Sequence, residues 1–105
     1  MSDNRKQYLS KYIPILINKA HKLGLTFITD ISISPLKSKK YRVYLNDGTH
    51  VDFGYFGQMK DGKMSQDYLE HKSELRRQRF LNRWKNNPNI NNIHSPVFYI
   101  IRLNW

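Results

Sequence analysis

The sequence predicts one α+β domain, in which a small antiparallel sheet with a hairpin packs against helices. The stretch YRVYLNDGTHVDFG alternates apolar and polar residues on both sides of Asn46-Asp47-Gly48, which is typical of a hairpin. Two other segments, before Gly24 and after Asp67, have the three- and four-residue apolar spacing of amphipathic helices. The chain of 105 residues has the length of a single domain and is expected to fold alone or with a copy of itself.

The N-terminal helix is predicted from apolar residues that recur every three or four positions. These are Tyr8, Leu9, Tyr12, Ile13, Leu16, Ile17, Ala20 and Leu23. Pro14 falls within the segment, and a proline inside a helix costs about 3 kcal/mol. Two alternatives therefore stay open: the helix begins near residues 10–12 with Pro14 in its first turn, or it is kinked at Pro14. Gly24 is expected to cap its C-terminal end.

Three strands are predicted to follow this helix. Residues 25–33, LTFITDISI, are rich in β-branched residues and alternate in apolar character. Residues 40–46 and 49–54 are predicted to form the hairpin, because Asn, Asp and Gly between them tolerate the positive φ of a tight turn. The glycine-containing segment 55–66 is predicted to be a loop with an exposed, mobile tip.

A long basic helix is predicted in the segment DYLEHKSELRRQRFLNRW, residues 67–84. Asp67 is expected to cap its start, and the asparagine- and proline-containing linker 86–92 is expected to end it. A short C-terminal helix is predicted next. Ser95 before Pro96 is the order of an N-cap followed by a first-turn proline. This last helix is expected to close the core through Phe98, Ile101 and Trp105.

The charge balance bears on partners rather than on chemistry. A net charge of +10 attracts phosphate-rich or anionic-lipid partners. Cysteine is absent, so neither a disulfide nor a thiolate metal site holds the fold, and a cytosolic or nuclear location is allowed. The apolar runs are far shorter than the ~18 residues that span a bilayer, and MSDNRKQYLSKY lacks the apolar block of a signal peptide. The chain is therefore expected to be soluble and not secreted.

The cations of the long basic helix have a regular spacing. At about 100° per residue, spacings of four, three and four place Lys72, Arg76, Arg79 and Arg83 on one stripe. Apolar residues border the stripe, with Leu69, Phe80 and Trp84 on one side and Tyr68 and Leu75 on the other. The sequence thus predicts a row of four cations between apolar edges.

Three interpretations of this stripe stay open. Arginines late in a helix favour its negative end by about 0.3 to 1 kcal/mol each, and long basic stems cover apolar surface. Alternatively the stripe follows a phosphate backbone, because the guanidinium fork binds phosphate with two hydrogen bonds. Burial in ion pairs is the third interpretation. The candidate nucleic-acid-binding residues are Lys72, Arg76, Arg79, Arg83, Lys37, Lys39, Lys40 and Arg42.

A second set of candidate residues bears on catalysis. Asp47, His50 and Asp52 lie within six residues, and such groups hold Mg²⁺ in metal-dependent nucleases. A turn position for Asp47 and a shared outer strand face for the other two explain them more simply, so no metal site is expected. His71 is interpreted as a capping or surface residue. No P-loop, dinucleotide-binding glycine pattern or Ser or Cys nucleophile with a nearby base is present, and no cofactor is expected.

Three stretches, taken in order along the chain, form one pattern: YRVYLNDGTHVDFG, DYLEHKSELRRQRFLNRW and SPVFYIIRLNW. The pattern is a hairpin ending in Phe-Gly, then Asp-Tyr, His, an Arg pair and a further Arg, and finally Pro, aromatics and Trp. The matching positions are Phe53, Gly54, Asp67, Tyr68, His71, Arg76, Arg77, Arg83, Pro96 and Trp105. By this pattern residues 39–105 resemble a family of small basic proteins encoded by nucleocytoplasmic large DNA viruses. Trp84, where that family often has His, is a departure, and residues 1–34 have no counterpart in it.

The resemblance implies a viral source and a role associated with the genome or the capsid, and it says nothing about whether the protein catalyses a reaction. Together with the charge it favours a non-enzymatic protein that binds DNA or RNA through the stripe, with genome packaging as its role. The alternative is a structural or interaction protein of the virus particle, whose arginines bind an acidic protein surface. A small metal-dependent nuclease is third. The expected location is the virion or the host cytoplasm or nucleus, and a homo-oligomer is a further arrangement to test.

Overall fold

A three-stranded antiparallel sheet in the order β1-β2-β3 lies at the centre of the fold. The computed structural model describes residues 4–58, 61–62 and 64–105, with only the backbone described at residues 4 and 5. The strands are β1 (Ile28–Ile33), β2 (Lys39–Leu45) and β3 (His50–Tyr55). Helices precede and follow the sheet, so the predicted α+β class is confirmed.

The hairpin between β2 and β3 has the predicted turn. Tyr44 lies opposite His50, and Arg42 lies opposite Asp52. The backbone N–H of Gly48 donates to the carbonyl of Leu45 at 3.1 Å, and Gly48 has a φ of 87°. Glycine adopts this left-handed conformation without the steric penalty of a Cβ, which is why the turn forms at this position. Both strands lie within one residue of the predicted ranges.

The first strand is shorter than the predicted range 25–33. It begins at Ile28, and its pairing with β2 is irregular between Ile28 and Asp30. The N–H of Leu25 instead bonds to the carbonyl of Ala20 at 3.0 Å, closing the end of the preceding helix. Residues 25–27 therefore belong to the helix–strand connection, from which Leu25 and Phe27 still pack on the core.

The N-terminal segment forms a 3₁₀ helix, Asn4–Tyr12, followed by the α-helix α1, Ile13–Lys22. Pro14 lies in the first turn of α1, so the first of the two predicted alternatives is confirmed. Gly24, with a φ of 71°, follows the C-cap as predicted. Leu16 and Ala20 point from α1 into the core.

The prediction of one unbroken basic helix is wrong, because two helices occupy this segment. They are α2, Tyr68–His71, and α3, Glu74–Trp84. Lys72 between them has a left-handed φ of 54°, and the Ser73 hydroxyl accepts from the N–H of Arg76 at 3.3 Å. A serine hydroxyl that satisfies the free N–H groups of a new helix competes with continuation of the old one. Asp67 caps α2 as predicted, in a capping box with Glu70.

The C-terminal segment begins with α4, Pro96–Tyr99, whose N-cap is Ser95 as predicted, and continues as a π-helical turn, Ile100–Asn104. Phe98 is buried as expected. Ile101 and Trp105 are only half-buried, and Tyr99 and Leu103 close the core instead. The Tyr99 ring packs on Phe53 with centroids 5.6 Å apart, which turns this side of the helix toward the sheet.

One core joins the sheet to α1 and the C-terminal segment. Its buried residues are Leu9, Leu16, Ala20, Ile31, Tyr41, Val43, Leu45, Val51, Phe53, Phe56, Leu69, Phe98, Tyr99 and Leu103. Helix α3 contributes no buried residue, so it lies outside this core. Across the described residues, the helices are too short or too polar to cross a bilayer. Positions 59, 60 and 63, within the loop whose tip was predicted to be mobile, lie outside the described residues.

Candidate nucleic-acid interface

Three of the four stripe cations line one open groove. Arg76, Arg79 and Arg83 are exposed on α3 and face a groove of about 860 Å³. The rings of Phe80, Trp84 and Trp105 line the same groove. Its other lining residues are Asp61, Met64, Ser65 and Gln66. Guanidinium groups and aromatic rings therefore border one space, which we call the arginine groove.

The aromatic rings of the arginine groove are stacked on one another. Phe80 and Trp105 are nearly parallel, with centroids 4.2 Å apart and planes 6° apart. On the same helix Trp84 stacks against Phe80 with centroids 5.8 Å apart and planes at 28°. His71 packs on Trp105 with centroids 5.0 Å apart. This row of rings attaches α3 to the C-terminal segment.

Arg77 has a structural role that separates it from its neighbours on α3. Its Nε donates to the carbonyl oxygen of Trp105 at 2.7 Å, and its Nη1 lies 3.2 Å from Glu74. In the part of the chain that the structure describes, no acidic side chain forms an ion pair with Arg76, Arg79 or Arg83. These three guanidinium groups are therefore available to a ligand.

Lys72 does not belong to the row in which the sequence placed it. The prediction required an unbroken helix from Asp67, whereas Lys72 occupies the left-handed turn between α2 and α3. Its side chain is exposed but does not line the arginine groove. The stripe of four cations is in fact a row of three arginines.

Lys40 is buried, which removes it from the predicted binding surface. Its side chain is 1% exposed and its Nζ lies 3.3 Å from Asp67 and in hydrogen-bond contact with Glu70. Burial raises the pKa of Asp67 above its usual value, although the nearby ammonium of Lys40 opposes this. The ion triad fixes α2 onto β2.

The other predicted cations lie apart from the arginine groove. Arg42 forms two hydrogen bonds with Asp52, at 2.9 and 3.1 Å, so its fork is occupied. Lys39 is half-buried. Lys37 is exposed and lines a second depression, which shares Met64 with the arginine groove. Of Lys37, Lys39, Lys40 and Arg42, only Lys37 is placed to extend the cationic surface of the arginine groove.

Of the residues considered for catalysis, Asp47 and Asp52 have different partners, and the Nε2 of His50 lies 4.0 Å from Asp52. Asp47 lies 2.8 Å from His94, and hydrogen bonds from Thr49 and from His94 lower the pKa of Asp47 to about 2. Burial opposes ionisation of Asp52, but hydrogen bonds from Arg42 and Ser34 outweigh it and hold its pKa below the usual value. Among the described residues no three metal-binding side chains come together.

His71 is more than a surface residue. Its Nδ1 accepts from the N–H of Ser73 at 2.9 Å, and its Nε2 is buried without a hydrogen-bond partner in the described structure. Burial, and then the charge of Arg76, lowers its pKa. Its ring joins the cap of α3 to Trp105.

Sequence spacing identified part of the arginine groove. Phe80 and Trp84, four residues apart and adjoining the arginines, were predicted to border the stripe. Trp105 and Asp61 were missed as lining residues because each reaches the groove from a distant segment of the chain. No local pattern marks such residues.

Part of the chain is similar to a known family. The model of a family of unknown function (DUF5754) matches residues 29–84, which include all of the sheet except Ile28, together with α2 and α3. No curated protein and no solved structure matches the chain.

Proposed function

The chain belongs to this family of unknown function, DUF5754, and we propose that it binds nucleic acid through the arginine groove. The resemblance of residues 39–105 to small basic viral proteins supports a role associated with the genome, such as packaging, in the virion or in the host cytoplasm or nucleus. A non-enzymatic role is part of the proposal and does not rest on the resemblance. The observation that carries the proposal is the row of Arg76, Arg79 and Arg83 along one groove, free of acidic partners in the described part of the chain.

The spacing of the three arginines suits a polyanion. Arg76 and Arg83 are seven positions apart on α3, about 10 Å along the helix axis. Each guanidinium presents a planar fork that binds phosphate oxygens in pairs. A net charge of +10 adds long-range attraction for the same class of ligand.

Stabilisation of the helix end explains the row less well. Arg83 lies in the last turn of α3, where a cation favours the negative end of the helix. Arg76, however, is the third residue of the helix, where the positive end disfavours a cation. A phosphate ligand accounts for both positions.

The test asks whether binding depends on the positions of the three arginines or only on the net charge of the protein. In one variant Arg76, Arg79 and Arg83 are replaced by Gln. A second variant carries the same changes together with Leu75→Lys, Gln78→Lys and Asn82→Lys, which are exposed positions outside the groove. Ser73 is left unchanged because its hydroxyl caps α3. Binding to duplex and single-stranded DNA and RNA is measured across a salt series.

The proposal expects steep salt dependence for the natural sequence. Each lost phosphate contact should lower the slope of log affinity against log salt by roughly 0.9 on duplex DNA. The charge-restored variant should recover only part of the affinity. Full recovery would reduce the row to a diffuse electrostatic effect. No binding at ~50 mM salt would favour the alternative, an acidic protein surface of the virus particle.

A further inference from the structure

We infer that the arginine groove takes a single strand, DNA or RNA, and that a base of this strand stacks on Trp84. The inference rests on the proposed function and adds the form of the ligand to it. It comes from the aromatic side chains that share the groove with Arg79 and Arg83.

The rings form a stack that ends at Trp84. Phe80 has Trp105 against it at 4.2 Å and Trp84 at 5.8 Å, so protein rings flank it. Trp105 in turn has His71 against it. Trp84 has Phe80 as its only ring neighbour among the described residues. A base placed on Trp84 from the groove would continue the row Trp105–Phe80–Trp84 by one layer.

The chemistry of this row favours a single strand. In a duplex the faces of the bases are covered by stacking on neighbouring base pairs, so a duplex would contact the arginines and leave the rings without a role. A single strand exposes base faces, and stacking on an aromatic side chain contributes about 1–3 kcal/mol per base, which corresponds to roughly 5- to 150-fold in affinity. The adjacent Arg83 is then placed for the phosphate beside the stacked base.

One acidic side chain lines the groove together with the arginines. Asp61 is exposed there, and it is the one acid among the described lining residues. A carboxylate in the groove repels phosphate at short range. Replacing Asp61 by Asn should therefore strengthen binding of any phosphate polymer in this groove, which locates the ligand independently of Trp84.

The experiment uses Trp84→Leu, with Leu75→Ala as the control on the same helix. Leu75 is 59% exposed and lies outside the groove. Affinities for oligodeoxythymidylate and for a duplex of the same length are measured at fixed salt. We expect Trp84→Leu to weaken single-strand binding by roughly 5- to 150-fold and to weaken duplex binding much less, because a duplex offers no free base face to Trp84. Leu75→Ala should change neither.

A spectroscopic measurement tests stacking without removing Trp84. The sequence has two tryptophans, so Trp105→Phe leaves Trp84 as the only one. Oligodeoxythymidylate should quench the fluorescence of this variant, because a stacked base contacts the indole. Inorganic polyphosphate should bind without quenching. Trp84→Phe, which keeps a ring, should retain most of the single-strand affinity.

The outcomes separate this inference from the proposed function. Equal effects of Trp84→Leu on single strand and duplex, or equal quenching by polyphosphate, would overturn the stacked base while leaving phosphate binding intact. If the protein bound neither the single strand nor the duplex, and Asp61→Asn did not produce binding of either, the proposed function itself would be overturned.

Discussion

The ring of Phe80 lies parallel to the ring of Trp105 at 4.2 Å, and this contact holds α3 on the rest of the molecule. Helix α3 has no buried residue, so its apolar side chains are only partly covered by the rest of the molecule. The hydrogen bond from Arg77 to the carbonyl oxygen of Trp105 reinforces the same attachment. The arginine groove therefore depends on two residues that are far apart in the sequence.

Replacing Phe80 by Ala should loosen α3. The loss of a stacked ring pair and of its partly buried area should reduce the free energy of unfolding by about 1–3 kcal/mol. Urea denaturation measures this, and Leu75→Ala, an exposed position on the same helix, should cost less than ~0.5 kcal/mol. Equal effects of the two substitutions would contradict the attachment through Phe80.

Replacing Lys40 by Met should destabilise the fold strongly. The change leaves Asp67 and Glu70 close together in a buried site without their cation, and breaking a buried ion pair costs about 3–5 kcal/mol. Lys37→Met, at an exposed position nearby in the sequence, should have almost no effect on stability.

The Lys40 variant also bears on binding. Where it still folds, its affinity for nucleic acid should match that of the natural chain, because Lys40 is shielded from ligands. If the Lys40→Met variant were stable but bound nucleic acid more weakly, Lys40 would have to be counted as part of the binding surface.

The stability of the protein should fall as the pH is lowered through the range in which His71 titrates. Burial lowers the pKa of His71 below its ordinary value of 6.5, so the neutral ring is favoured in the folded state. Such a group contributes its full stability above the unfolded pKa and loses it as the pH falls toward the folded pKa. Protonation would also remove the acceptor for the N–H of Ser73.

The measurement compares urea midpoints at pH 7.5 and pH 5 for the natural chain and for His71→Asn, whose amide oxygen still accepts from Ser73. The difference between the two pH values should be smaller in the variant. NMR titration of the His71 ring gives its pKa directly, and a value above 6.5 would contradict the expected sign.

Incubation of DNA or RNA with the protein and Mg²⁺ should give no cleavage. Asp52 is held by Arg42 and Ser34, so Asp52→Ala should act on stability by leaving Arg42 without its partner. Metal-dependent cleavage that disappears in Asp52→Ala, while thermal unfolding is unchanged, would establish the nuclease hypothesis instead.

Local signals in the sequence predicted much of the fold. The turn at Gly48, the cap at Asp67, the Ser95–Pro96 helix start and the helix end at Gly24 all lie where the sequence placed them. Each depends on backbone preferences and hydrogen bonds among residues no more than about five apart, which makes it visible in one short stretch.

The tertiary structure decided which cations are free and where the basic helix breaks. In the sequence, nothing distinguishes Lys40 from Lys37. Lys40 is buried against Asp67 and Glu70, which belong to a distant segment of the chain. The chain turns at Lys72, where the Ser73 hydroxyl begins a new helix, and the two helices are then held by different contacts. The ion triad holds α2 on β2, while Trp105 holds α3. Both attachments join segments that are distant along the chain, so no short stretch of sequence shows them.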